Sequence, residues 1–560
     1  MRHKDGMHWA ELLEGTVLYA ISEVIAASPA DTCVGVARPT KHWSLVNAAQ
    51  DWLQDSSTCP LSIAELCVQP GYDTLPATLP PARSEPPQEK GLVQRLSMGD
   101  HRQITSMRGI KFSERPLDHT WSSIRTWSIL IPTASDHDRE ATVLELSVRD
   151  RAMLSGELGD GAALAMRIVV ATAHVMNAQR LVDISSAHID GCLYHGSVSL
   201  DFVERFVASG TRVAVPTTLN VGSLDLIHPE LYRGKPETAN AAKRLMEAHL
   251  ELGCEATFTC APYQLKHRPR LGDQIAWAES NAIVFANSVL GARTSRYGDF
   301  LDLAAAITGR VPYAGLHVTE NRAARLVLAA PSLRDSSRRD ACFAALGFLL
   351  GLKAGATVAA ITGLPADTTE DELKSLGAAA ASSGSVALFH AVGITPEAST
   401  LDAALQGGEP EQTIIVSEAD LVAIHRKWND ARSGEPLAAI SLGTPHFSID
   451  EFRRLAKLFD SHKGPLQCDF YVNTSRFVLW QIEEEGLAQR LASRGVQIVV
   501  DTCTYITPVM KQINGLVMTN SGKWAHYAPA NIGVTVAFGS MSECVRSAFE
   551  GRVCIDELAG

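Results

Sequence analysis

Two thiols stand in this sequence directly after apolar runs, where a parallel strand would release its last side chains into a cleft. Cys260 lies in TFTCAPY beside Thr259 and Tyr263, and Cys503 lies in VVDTCTYITP behind Asp501. The same placement recurs in four other strings. Ser186, His188 and Asp190 follow LVDIS, Thr217, Thr218 and Asn220 follow VAV, His390, Thr395 and Glu397 close VALFHAVGITPEA, and His446 ends SLGTPHFS. One such loop would be ordinary, because loops are polar anyway. Six of them facing one cleft would gather two thiols, several imidazoles and hydroxyls, and few fixed positive charges besides Arg293 and Lys523. That inventory suits a soft metal or an iron-sulfur centre that holds a carboxylate-bearing ligand.

Other chemistries lose support by their missing motifs. The chain has no GxxxxGK[ST] phosphate loop, no HExxH and no GxSxG, which argues against nucleotide-driven, zincin and lipase-type mechanisms. It also has no CxxC pair, so a metal centre must draw on cysteines distant in sequence. Cys254, Cys342 and Cys554 read as small core residues.

The elements that would carry these tips alternate between strand and helix. From Leu146 onward, short apolar runs at Leu181 to Ser185, Val213 to Val215, Ala256 to Thr259, Thr357 to Ile361, Val386 to Phe389, Thr413 to Val416, Leu437 to Ser441 and Val496 to Val500 read as strands. Helical patterns are expected over Arg149 to Asn177, Glu370 to Ser382, Glu418 to Asp430, Ser448 to Ser461 and Arg476 to Ser493; Ala282 to Leu290 fits either element. Ser448 and Glu451 have the spacing of a capping box. The alternation predicts an α/β protein with mostly parallel sheets, whose ligands sit at the carboxyl ends of the strands.

The first 145 residues have another texture. A helix is plausible over Trp9 to Ala27, and Gln69 to Lys90 carries six prolines and reads as a linker. The expected organisation is this divergent region, 1–145, followed by a catalytic region, 146–560, subdivided near 146–345 and 346–560. The full 560 residues are 46% hydrophobic and 20% charged, enough to bury several cores. A net charge of -12 without a basic run disfavours nucleic acid. No apolar run is long enough for a bilayer span, and Glu11, Glu14 and Glu23 interrupt the N-terminal one. Eleven scattered cysteines point to reduced thiols or metal ligands and to a cytoplasmic compartment.

Taken in order, LSVRDRAMLSGELGDGAALAMRI, VDISSAHIDG, VPTTLNVGS, TFTCAPYQ, WAESNAIVFANSVLGART, LFHAVGITPEA, GTPHFS, DTCTYITP and NSGKWAHYAP resemble the large-subunit catalytic domain of the aconitase X family. The resemblance runs from Leu146 to the C-terminus. It implies aconitase-like multidomain α/β/α layers and a dehydratase that uses iron or an iron-sulfur cluster as Lewis acid on a small hydroxy acid. Family activities dehydrate cis-3-hydroxy-L-proline or mevalonate 5-phosphate, and GARTSRYGDFLD is closer to the hydroxyproline type.

By the same resemblance the metal ligands are Cys260 and Cys503. Many relatives add the cysteine of a GCPH string, where this chain has Gly443-Thr444-Pro445-His446; a third ligand would then be Cys468 or Cys544, or the centre is altered. Substrate binding would fall on Ser186, His188, Thr218, Asn220, Glu279, Ser280, Asn281, Asn287, Ser288, Arg293 and Lys523, and catalysis on Lys523, His390 and His188. The bland alternatives are helix caps for the Ser and Asn residues and surface ion pairs for Arg293 and Lys523. The family's small swivel domain carries an SFWGG-like string and a GRGSS-like turn whose serine is the catalytic base. Neither occurs in the first 145 residues, where Ser122-Ser123 lacks the preceding Gly-Arg-Gly. The expected partners are therefore a hydroxy-acid substrate and a separate small swivel subunit; a phosphomevalonate-type enzyme and a degenerate, non-catalytic member remain as alternatives.

Overall fold

The computed structural model describes residues 144–333, 338–429 and 433–556; the expected N-terminal helix, the proline-rich stretch and Ser122-Ser123 lie outside them. Three parallel sheets and one small antiparallel pair organise these residues. The first sheet has the order Thr217–Leu219, Ala187–Ile189, Ala276–Trp277, the second Phe389–Ala391, Ala359–Thr362, Leu326–Ala329, Gln412–Ile415, and the third Val496–Val500, Asp469–Thr474, Ala439–Phe447, Leu516–Thr519, Thr535–Phe538. Leu181–Asp183 pairs antiparallel with Arg310–Pro312. Parallel strands need crossovers, and helices supply them. No single helix among the described residues is long and apolar enough to cross a membrane.

Local signals decide where several helices begin and end. Ser448 caps the helix Ile449–Asp460 in the expected box with Glu451, and Ser147, Thr369, Ser417 and Ser540 open helices in the same way. The single helix expected over Arg476 to Ser493 is two, Arg476–Glu484 and Leu487–Ala492, because Gly486 takes φ +70° between them. The ambiguous run after Glu279 is a helix, Ser280–Phe285, continuing into a π-turn, Ala286–Leu290.

The first sheet departs most from expectation. Val213 and Ala214 donate to Leu252 and Ala306 in irregular chain, and the strand begins after Pro216, at Thr217. Ala256 to Thr259 forms no strand; Glu255 bridges to Thr218, and Phe258 takes φ +39°, which ends any extended run. His188 and Thr218, read as loop residues, lie inside strands as partners in register. The expected boundary near residue 345 falls within the helix Arg339–Ala354.

That helix crosses Glu370–Ser383 at unusually close range. A Cβ added at Gly347 would stand 2.0 Å from the Leu376 carbonyl oxygen, and one at Gly351 would stand 2.4 Å from that of Ala380. Glycine is required here by the approach of one backbone to another. Gly347→Ala is expected to destabilise the protein by about 1–3 kcal/mol through overpacking, seen as a lower midpoint of the first urea transition by circular dichroism. An unchanged midpoint would contradict this packing.

Candidate active site and metal centre

The carboxyl ends of the first and third sheets meet. Asp190, Asn220 and Glu279 follow the three strands of the first sheet within two residues. From the third sheet come His446 near the end of its strand, Cys503 three residues past Val500, and Lys523 four past Thr519. Cys260 joins them because Thr259 N–H donates to the Leu219 carbonyl at 3.0 Å, which lays its loop beside the first sheet.

The ligand atoms of Cys260, His446 and Cys503 all lie within 4.8 Å of one another, and all three residues are buried. His446 N–H donates to Cys260 Sγ at 3.3 Å, and His446 Nε2 stands 3.6 Å from Cys503 Sγ. The ring is oriented on both sides: Nε2–H donates to the Thr502 carbonyl (3.2 Å), so Nδ1 accepts from the Thr259 hydroxyl (3.0 Å). Burial pushes this imidazole down to about 4, so it is neutral. Burial alone would raise the Cys260 thiol; the Cys503 hydrogen bond, the Lys523 ammonium and the His446 N–H outweigh it and bring Cys260 below its ordinary value. Cys503 is pushed up by that hydrogen bond and by burial. Of the two thiols, Cys260 is the one that gives up its proton more readily.

Beside the thiols lies a buried ion pair. Lys523 and Glu279, each 5% exposed, form a short salt bridge. Burial opposes the Lys523 charge, but Glu279, Tyr505 and Cys260 raise its affinity for the proton well above the ordinary value. Burial likewise opposes the Glu279 charge, which Lys523 and the N–H groups of Ala282 and Asn281 restore. Glu279 reaches this position as N-cap of Ser280–Phe285 with φ +71°. Left-handed non-glycine residues recur here: Phe258, Glu279 and Asp501 each stand two residues before Cys260, Asn281 and Cys503, the pattern of strain held at a functional site. Asp501 is in turn anchored by Arg476 (2.8 Å to Oδ2) and by Leu226 N–H (3.1 Å).

Three expected binding residues present unused polar atoms around this pair. His188 Nδ1 meets the Thr218 hydroxyl at 2.8 Å, and that hydroxyl donates to the Ala187 carbonyl at 3.4 Å. Nδ1 therefore carries the proton and Nε2 is a bare, buried acceptor without a partner. Burial, against the attraction of Glu279, pushes this ring down to about 3. Asn220 donates to Asp190, and Asn281 donates to the Cys260 carbonyl (2.9 Å) and to Tyr263 Oη (2.8 Å), yet both side-chain carbonyls lack a donor. The Thr444 hydroxyl is also buried and unpartnered.

Other expected residues are engaged elsewhere. Asn287 bonds Thr294, Ala387 and Arg322, and the Ser288 hydroxyl accepts from Phe389 N–H, so both tie the first sheet's helix to the second sheet. Arg293 is held by the His317 carbonyl (3.2 Å) and Thr319 (2.7 Å), with Glu397 at 4.0 Å. His390 donates to the Arg322 carbonyl at 2.8 Å and is surrounded by Arg322 and Glu397, not by Glu279 and Lys523. Ser186 is half-buried, its carbonyl taken by Ala276 N–H, and Ser280 donates to Glu279 at 3.3 Å. Cys468 and Cys544 pack in the hydrophobic core of the third sheet; the structure places His446, not either of them, beside the two thiols. The sequence marks His446 and Tyr263 as cleft residues but assigns them no ligand or binding role, and Tyr505, beside Cys503 in TCTYI, is not marked at all.

Comparison with known proteins agrees with this geometry. The chain matches the Aconitase X first domain over residues 143–320, the second over 324–426 and the third over 437–550. It is 41% identical to a cis-3-hydroxy-L-proline dehydratase of Hypocrea jecorina over 73% of this chain and 69% of that one, and 42% identical to one of Pseudomonas aeruginosa over 73% and 70%. A phosphomevalonate dehydratase large subunit of Thermococcus kodakarensis is 33% identical over 72% of this chain and 99% of that one. The crystal structure of Thermococcus kodakaraensis aconitase X in its holo-form superposes with TM-score 0.66 at 33% identity, covering 72% of this chain and all of that one. A chain that matches all three domain models in order and is 33–42% identical to these relatives belongs to the aconitase X family.

Proposed function

We propose that this chain is a hydro-lyase that removes water from a small cyclic hydroxy amino acid of the 3-hydroxyproline type, with iron held by Cys260, Cys503 and His446. The observation that carries this reading is the buried Cys–His–Cys group adjoining the Glu279–Lys523 pair. Two sulfurs and one imidazole fit an iron ion or a small cluster. A cluster that needs three protein thiolates does not fit, because Thr444 offers only a neutral hydroxyl. If Nε2 becomes a ligand its proton belongs on Nδ1, where the Thr259 hydroxyl can accept it, the outer-shell bond that orients a ligating histidine. Bound there, iron would supply Lewis acidity toward a departing hydroxyl.

The chain's own residues then bind and orient. The bare acceptors of His188, Asn220 and Asn281 call for a ligand rich in N–H and O–H donors, as a ring ammonium and hydroxyl are. A phosphate, which needs donors, is served less well by this set. Lys523 stays protonated beside Glu279, so it binds and neutralises negative charge and does not act as a base while that pair is intact. We assign the base to a separate small swivel chain. The matched region spans nearly the whole of a large subunit named for a two-chain enzyme, and no GRGSS-like string occurs here.

Metal analysis of anaerobically purified protein should find iron in the wild type and lose it in Cys503→Ala and in His446→Ala; a colourless, iron-free wild type would contradict the reading. With a small chain carrying the GRGSS-like turn, cis-3-hydroxy-L-proline should be consumed and mevalonate 5-phosphate should not; the reverse preference would favour the phosphomevalonate type, and neither would favour a non-catalytic member. His188→Phe should raise KM about tenfold by removing one charge-assisted hydrogen bond while iron content holds. Because His188 is protonated only below about pH 3, the pH–rate profile between 5 and 8 should keep its shape in this variant; loss of a limb would mean that His188 titrates there.

A further inference from the structure

The carbonyl oxygen of His446 collects hydrogen bonds from two distant parts of the chain. Gln264 Nε2, on the turn that follows Cys260, donates to it at 3.1 Å, and Lys374 Nζ donates at 3.3 Å. Lys374 is 2% exposed and sits on the helix Glu370–Ser383, which packs against Arg339–Ala354 through Gly347 and Gly351. Its other two N–H groups are also taken, by Asp371 Oδ1 at 2.9 Å and by a short bond to Glu451. Glu451 caps the helix that begins three residues after His446, accepting from Ser448 N–H at 2.9 Å, and the Ser448 hydroxyl donates to the other oxygen of Asp371 at 2.7 Å. Two donors of one buried ammonium thus reach the end of the strand that carries the imidazole and the helix cap after it, and the third holds Asp371 on its own helix, which Ser448 ties to the same cap.

Burying an ammonium is costly, and an apolar side chain of similar volume would hold the two helices together at least as well. Charged hydrogen bonds, one to the His446 backbone and one to the cap of the helix that follows it, do what apolar packing cannot: they fix a position and a direction. Gln264 ties the same oxygen to the Cys260 turn, so the sulfur and the imidazole share one anchor.

We propose that Lys374 is a positioning residue for the metal-binding group: by gripping the His446 carbonyl from the second domain, it holds the imidazole in register with Cys260 and Cys503. The proposal rests on the reading of His446 as a ligand. It says that outer-shell contacts from a helix bearing no metal-binding residue set how tightly iron is held, by the 10- to 100-fold typical of such partners.

The test uses the full-length chain, purified anaerobically, as wild type, Lys374→Met, Gln264→Leu, Ser417→Ala and His446→Ala. Iron release into excess chelator and the absorption and paramagnetic resonance spectra are measured beside urea stability. Lys374→Met should release iron about 10 to 100 times faster with a shifted spectrum. Gln264→Leu, which strands no buried charge, should move both in the same direction by less. Ser417→Ala, which weakens the cap of Glu418–Trp428 and touches none of these contacts, should lose stability and keep the wild-type spectrum and release rate. If Lys374→Met does not fold, Gln264→Leu alone decides. Wild-type release and spectra in the variants of both residues would overturn the proposal, as would iron loss in Ser417→Ala matching theirs, since retention would then merely follow stability. His446→Ala separates the two levels: iron lost there and unchanged in Lys374→Met overturns the Lys374 role alone, whereas iron retained in His446→Ala overturns the ligand reading and this proposal with it.

Discussion

A carboxylate, an ammonium and an acidified thiol are buried together where two parallel sheets point their carboxyl ends at each other, and the two charges depend on each other. Glu279 arrives from the first sheet, Lys523 from the third, and their salt bridge spans the seam beside Cys260. Removing one partner of such a pair costs about 3–5 kcal/mol, because it strands the other charge. A domain is stable by only about 5–15 kcal/mol in all. The pair is therefore less a source of stability than a lock on geometry: the first and third domains satisfy their buried charges only in the arrangement that also brings Cys260, His446 and Cys503 together.

The rest of the seam is built to keep that arrangement exact in direction. Behind Cys503, the Thr504 hydroxyl takes bonds from Trp524 Nε1 (3.1 Å) and Asn473 (3.3 Å) and meets Ser441 at 2.7 Å, so the cysteine loop and the residue after Lys523 share one hub. In front, Asn281 ties the Cys260 carbonyl to Tyr263, whose ring stacks on Phe285 at 3.7 Å. These contacts are saturated. Unpartnered buried atoms remain on His188, Asn220, Asn281 and Thr444 among others, and two of these residues adjoin the site: Glu279 acts on the His188 ring, and Asn281 bonds the Cys260 carbonyl. A buried polar atom without a partner is expensive, and a substrate that supplies the missing donors recovers that energy on binding.

The sequence made the reacting residues legible more readily than the frame. Cys260, Cys503 and His188 could be picked out because each follows an apolar run at a turn, Lys523 as one of few fixed positive charges, and Glu279 only through the family resemblance. Strands such as Asp469–Thr474 and Thr535–Phe538 were hidden because three to six residues carry little periodicity, and their ladders come from neighbours remote in sequence. The sequence places His446 at the cleft but does not mark it as a ligand: a missing thiol at Thr444 invites a search for another thiol, whereas the strand simply runs on two residues and delivers an imidazole. Asn287 and Ser288 looked like site residues since they share a string with Glu279, but the helix and π-turn between them rotate their side chains toward the second sheet. Burial direction within a helix depends on what packs against it, and one strand of sequence does not display that.

X-ray absorption at the iron edge of the anaerobic protein tests the central claim most directly, because it counts the atoms bound to the metal. Two protein sulfurs and one imidazole nitrogen are predicted in the first shell, with the remaining positions filled by light atoms or bridging sulfide. An iron shell of oxygen and nitrogen alone, or one with three protein sulfurs, would contradict the account of Cys260, His446 and Cys503 as the ligands.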